Sequence, residues 1–240
     1  MTLKTSALSP ADIAAVSPVL AAYTGTTIAE ELWQRPGLSR KDRYMVTLST
    51  LVSRSQTTGM LHYFNNALDD GVTPAEISEI VAHLAFYAGW PTVFAAVNVL
   101  KDIFLQRGIG GDQLPEIAPT LLSLSDAVPD EAVRVGFIGE AVGPVSPALQ
   151  HFTDQPLYHQ VWLRPGLAMR DRNLVTISAL IALGQLEFLP FYLGRAVEKG
   201  ITREQLGEII GHIAFYAGWP FAISATGVVK SFFAGAPEIA

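Results

Sequence analysis

At 240 residues the chain is long enough for one large domain or two of ordinary size. Half of its residues are hydrophobic, 16% are charged and the mean hydropathy is +0.31, so much apolar surface must be buried within the chain or between copies of it. A net charge of −6 and a pI near 5.3 argue against nucleic-acid binding, and the lack of cysteine excludes disulfides, thiolate metal ligands and cysteine redox chemistry.

Helical punctuation dominates from the start. The opening segment MTLKTSALSPADIAAV lacks a secretory apolar core, which makes the cytoplasm the expected compartment. Helix is expected over 10–23, then a short helix ending near Trp33 and an Arg35-Pro36-Gly37-Leu38 turn. Four helices follow over 39–55, 57–70, 74–89 and 91–106. Ser39 with Asp42, and Thr73-Pro74-Ala75-Glu76, read as helix starts with capping boxes. Gly71 stands where the preceding helix should end in a left-handed residue.

Residues 107–128 are rich in Gly and Pro, and 129–150 should add further helix. After Trp162 and Arg164-Pro165-Gly166-Leu167, helices are expected over 168–184, 186–199, 202–217 and 220–234. The stretches 80–100 and 209–229 contain no charged side chain and are nearly long enough to span a bilayer. Each is broken by Gly-Trp-Pro, so each reads as two buried helices meeting at a corner, and no membrane partner is expected.

The second series repeats the first. HLAFYAGWP at 83–91 returns as HIAFYAGWP at 212–220, and the offset of 129 residues holds without a gap through Asp42-Arg43 and Asp171-Arg172 to Lys101 and Lys230. One helical unit has been duplicated. The chain is therefore expected to be all-α, with a first unit over 1–110, a linker over 111–128 and a second unit over 129–240 forming a pseudo-symmetric pair.

Three constellations offer chemistry. Glu79, His83 and Tyr87 are spaced four apart on one helical face, as are Glu208, His212 and Tyr216. Such a ladder either bonds neighbouring helices or moves protons. On the second helix of each unit the copies disagree: Thr58 and His62 in the first, Glu187 and Phe191 in the second. Glu187 has apolar neighbours that favour a role as an acid; the alternative is that it faces water. Arg43 and Arg172 carry forks suited to carboxylates, and the competing reading pairs them with the adjacent Asp or a partner subunit. No phosphate-binding glycine loop, dinucleotide fingerprint or metal-binding histidine cluster is present.

The ordered set W-x-RPGL, DR-x-x-V-T and G-x-T-x-x-x-x-x-E-x-x-x-H-x-A-x-Y-A-G-x-P, present in both copies, resembles the carboxymuconolactone decarboxylase family, which has the alkylhydroperoxidase-D-like all-α fold. The peroxidase branch of that family uses a C-x-x-C pair; here those positions hold Ser55 and Thr58, and Gly184 and Glu187. The cofactor-free decarboxylase branch carries E-L-x-x-H on the second helix. The first unit keeps only His62 of this pair and the second only Glu187, so either one site has decayed or the two residues meet across an interface.

The resemblance implies a small carboxylate or lactone substrate, no cofactor, and a homo-oligomer, a trimer of tandem chains. On this reading Arg43 or Arg172 clamps carboxylates, Tyr87 or Tyr216 donates to a developing oxyanion, and His62 or Glu187 supplies a proton, with His83 and His212 as further proton carriers. Trp90 and Trp219 would line an apolar substrate pocket. The competing class is a non-redox relative that binds a small hydrophobic acid or serves as an oligomeric scaffold; a cofactor-free isomerase is a third.

Overall fold

A computed structural model describes residues 8–235, and over these the chain is all-α, with no strand. The helices are α1 (Pro10–Val16), α2 (Pro18–Tyr23), α3 (Arg40–Ser53), α4 (Thr57–Asp69), α5 (Pro74–Ala88), α6 (Trp90–Arg107), α7 (Leu124–Ala127), α8 (Glu131–Ala141), α9 (Pro147–Phe152), α10 (Met169–Leu183), α11 (Leu189–Glu198), α12 (Arg203–Ala217) and α13 (Trp219–Gly235). Among the described residues no helix is long and apolar enough to cross a membrane.

The core is built around α3 and α10, one from each unit, packed against each other. Every residue of α3 from Asp42 to Ser53, and of α10 from Arg172 to Ala182, is buried. A helix buried on all sides has no polar face to show, so its apolar periodicity is weak. Two hydroxyls of α3 are satisfied within the helix: Ser49 and Thr50 donate to the carbonyls of Met45 and Val46, one turn back. Around this pair the units interlock. The second unit's α12 packs on α3, and the first unit's α5 packs on α10.

Local sequence sets the helix starts. Ser39 and Asp42, Thr73 and Glu76, and Thr202 and Gln205 form reciprocal capping boxes. The corners between α5 and α6 and between α12 and α13 need Gly89 (φ 87°) and Gly218 (φ 103°), a backbone conformation that a side chain would strain.

Two expectations are corrected. The helix expected over 186–199 begins only at Leu189, because the left-handed Gly184 ends α10 and Pro190 sits in the first turn of α11. This leaves Glu187 in the intervening turn. And α6 and α13 are buried on one face only: Val93, Ala96, Leu100 and Ile103 point inward, while Trp90, Phe94 and Val97 face out, as do Trp219 and Ile223.

The segment between the units is also more ordered than a plain tether. It holds α7 and crosses the second unit's RPGL turn, where the carbonyls of Glu116 and Ile117 accept from Arg164 and Leu122 N–H donates to Leu163 O.

Candidate active site

The i, i+4 ladders on α5 and α12 point into the opposite unit. Glu79 is 1% exposed and accepts from Arg164 Nε at 2.7 Å and from Arg172 Nη2 at 3.1 Å. Arg172 Nη1 lies 3.4 Å from His83 Nδ1, and His83 Nε2 lies 2.7 Å from Thr176 Oγ1. Arginine only donates, so Nδ1 accepts and the ring proton belongs on Nε2, facing Thr176. The hydroxyl of Thr176 in turn donates to Arg172 O.

The second junction mirrors the first. Glu208 receives Arg35 and Arg43, His212 Nδ1 lies 3.3 Å from Arg43 Nη1, and His212 Nε2 lies 2.8 Å from Thr47 Oγ1. Burial first, and then the adjacent guanidinium, drives His212 down to about 3 and His83 well below the usual histidine value. Both rings are therefore neutral near pH 7.

This corrects the expected pairing of each Arg with its neighbouring Asp. Asp42 is taken by Arg170 instead, and Arg43 and Arg172, both fully buried, brace the opposite unit rather than projecting into a cavity.

Beyond the ladders the junctions diverge. Tyr216 accepts from Trp33 Nε1 and donates to Tyr63, each at 2.8 Å. On the other side Trp162 Nε1 donates to Tyr87 at 3.0 Å, Tyr87 shares a hydrogen bond with Tyr192 at 3.0 Å, and Tyr192 shares one with Tyr158 at 2.9 Å. Burial pushes Tyr158 and Tyr192 well above the usual tyrosine range, so they stay protonated and able to donate. Arg195, 3% exposed and paired with Asp130, lies over the rings of Phe191, Tyr158 and Trp162 at 4.5, 5.0 and 5.2 Å.

Tyr158 and Tyr192 of this string also line a cavity of about 470 Å³ between α8 and α11, walled by Val133, Phe137, Phe188 and Phe191, with Glu187 among its lining. A second cavity of about 330 Å³ shares Phe188 and Tyr192 and includes Tyr87. Among the described residues no group of three or more acidic or histidine side chains is placed to hold a metal ion.

The sequence model of the carboxymuconolactone decarboxylase family matches twice, over residues 18–102 and 147–231, which together cover more than half of the chain. The chain belongs to the carboxymuconolactone decarboxylase family. It is 37% identical over 84 residues to a 4-carboxymuconolactone decarboxylase of Acinetobacter baylyi, a match covering 35% of this chain and 63% of that protein. It is also 38% identical over 70 residues to a nitrosuccinic acid decarboxylase of Metarhizium robertsii, covering 29% and 49% respectively. The chain thus spans less than two thirds of the length of these curated relatives.

Against the residues picked out by the family resemblance, the structure brings some together and separates others. His83 joins Tyr87 on one side, with ring centroids 4.9 Å apart, and His212 joins Tyr216 on the other, at 5.0 Å. Within the one chain, His62 and Glu187 are not brought into contact. His62 is exposed on α4, bonded to Asn66 and set edge-on to Tyr63, whereas Glu187 is exposed at the rim of the 470 Å³ cavity, so the expected apolar enclosure of its carboxyl is not seen. Trp90 and Trp219 are about half exposed, pack edge-on to Phe86 and Phe215, and line none of these cavities.

Sequence reasoning passed over Tyr192, Tyr158 and Thr176, and marked Arg195 only as a basic residue without a counterpart in the first unit. The offset of 129 residues pairs Tyr192 with Tyr63 and Thr176 with Thr47, and that identity was a usable signal. Tyr158 replaces Ala29 and carried none.

Proposed function

We propose that the chain is a cofactor-independent carbon–carbon lyase that releases CO₂ from a small carboxylated lactone or related unsaturated acid, and that the reaction runs in the second unit's cavity. One observation carries this reading: Glu187, Tyr158 and Tyr192 line the same cavity, and the rest of its wall is largely apolar. The decarboxylases among its relatives support the reaction class.

In the first step the bond to the carboxylate carbon breaks and its electron pair passes into the conjugated carbonyl, leaving CO₂ and an enolate. Arg134, the guanidinium on this wall, is already held by Glu131 and Asp154. The surroundings therefore favour neutral CO₂ over the bound carboxylate. Tyr158 and Tyr192, kept protonated by burial, donate to the enolate oxygen. Glu187 delivers a proton to the carbanion carbon and recovers one from water at the rim. Tyr87 fixes the position of Tyr192, and the His83–Arg172–Glu79 brace holds α5 against α10 so that this hydroxyl string stays aligned. His62 and Tyr63 of the first unit, with Tyr216 and His212 of the second, belong to the matching, mainly architectural junction.

The outward apolar faces of α6 and α13 support assembly into a trimer of tandem chains.

The test is CO₂ release from a panel containing 4-carboxymuconolactone and nitrosuccinate. Glu187→Gln is expected to lower turnover about 100-fold or more, the usual weight of a positioned proton carrier. Full turnover by this variant on the best substrate would overturn the assignment.

A further inference from the structure

The reaction proposed above leaves one buried charge unused. The side chain of Arg195 on α11 is 3% exposed, yet it is not part of the lining of the 470 Å³ cavity. The rings of Phe191, Tyr158, Trp162 and Tyr192 lie 4.5, 5.0, 5.2 and 6.0 Å from its guanidinium carbon. Phe191, Tyr158 and Tyr192 border the cavity as well, so the cation sits behind the wall that carries the two hydroxyls.

Its charge is only partly quenched. Arg134, on the other side of α8, spends Nε and both terminal nitrogens on Glu131 and Asp154. Arg195 faces a single carboxylate among the described residues. Its Nε donates to both oxygens of Asp130 at 2.9 and 3.1 Å, and Nη2 stands 2.6 Å from Oδ1. Nη1 is buried with no hydrogen-bond partner among the described residues. The first unit has Asn66 at the corresponding position, bonded to His62, and Ala29 in place of Tyr158. A cation against the ring of a phenol draws charge away from the oxygen and favours its anionic form. That makes the hydroxyl a stronger donor, most of all to an oxygen that is gaining negative charge. The charge of Arg195 accordingly works against the burial that keeps Tyr158 and Tyr192 protonated.

We propose that Arg195 is a positioning residue of the decarboxylation: held by Asp130 behind the rings of Tyr158 and Tyr192, it fixes them and places a positive charge that strengthens their donation to the developing oxyanion. Being walled off by those rings, it acts on the oxyanion through them and does not clamp the departing carboxylate. This role deepens the catalytic reading given above and rests on it.

Two readouts on the full chain test it. On the best substrate, Arg195→Met is expected to lower kcat about tenfold with KM within about twofold, because the guanidinium does not touch the substrate. Arg195→Lys, which restores a charge, should recover most of that loss. The second readout needs no turnover: the affinity for 4-nitrophenolate, at a pH where it is ionised, is compared with that for the neutral 4-nitrotoluene of similar shape. The unmodified chain is expected to prefer the anion by about tenfold. Arg195→Met should lose this preference, and Asp130→Asn, which removes the opposing charge, should increase it. Asp130 is 28% exposed and can hydrate once Arg195 is gone; should Arg195→Met still unfold, Arg195→Met with Asp130→Asn removes the pair as a unit. If the unmodified chain shows no anion preference, or if Asp130→Asn lowers it as Arg195→Met does, the pair merely ties α8 to α11 and the proposal fails. Full turnover by Glu187→Gln beside an anion preference that needs Arg195 would instead overturn the proton carrier and leave this role standing.

Discussion

His83 and His212 have the residue type of a proton carrier and the surroundings of a structural group. Each is fully buried, neutral, and wedged between a guanidinium and a threonine hydroxyl. For His212 the folded value is about 3 against 6.5 for the free side chain. Below pH 6.5 the unfolded chain takes up a proton that the folded chain refuses until about pH 3, so stability falls as the pH drops through that window. Each such histidine contributes roughly 1.4 kcal/mol per pH unit to the slope. The melting temperature is therefore expected to fall from pH 6 to pH 4, and less steeply in His212→Gln. An identical slope in the variant would refute this.

The tyrosines divide differently. Tyr192→Phe should cost about 10²-fold in turnover, the usual effect of losing an oxyanion donor. Tyr216→Phe, at the junction assigned to architecture, should leave turnover within a factor of about two in the same assay. Equal losses would place the chemistry at both junctions.

At the scale of helices, what was local in the sequence was readable and what was mutual was not. Ser39 with Asp42 and Thr73 with Glu76 announced their helices because a capping box is completed within four residues. The spacing of Glu79, His83 and Tyr87 showed that they share a face, yet said nothing of what that face meets, since Arg172, Thr176 and Trp162 come from the other unit. The start of α11 was misplaced because the turn at Gly184 interrupts an apolar run that looks continuous.

The tightness of this cross-unit packing is testable at Gly166. A Cβ there would lie 2.9 Å from Glu79 Cγ, and Glu79 is held by both Arg164 and Arg172. Gly166→Ala should displace the carboxylate from a buried pair and cost about 3 kcal/mol, measured by urea unfolding. A loss below about 0.5 kcal/mol would show that the brace has slack.

For the whole molecule, composition had already asked where so much apolar surface goes. The all-round burial of α3 and α10 is part of the answer. The outward residues Trp90, Phe94, Trp219 and Ile223 are among those left exposed. Light scattering is expected to return about three times the chain mass of 25.9 kDa, and Trp90→Glu with Trp219→Glu should reduce it to that of a single chain. A wild-type protein running at single-chain mass would contradict the trimer.

The peptide link between the copies also changes what a mutation can do. In a two-fold pair of identical chains every new side chain arrives twice, so a change that improves one pocket alters its twin and any shared scaffolding with it. Joined end to end, the halves inherit changes separately. Arg195 stands where the first half keeps Asn66, and Tyr158 where it keeps Ala29. One half is then free to explore new chemistry while the other goes on holding the molecule together.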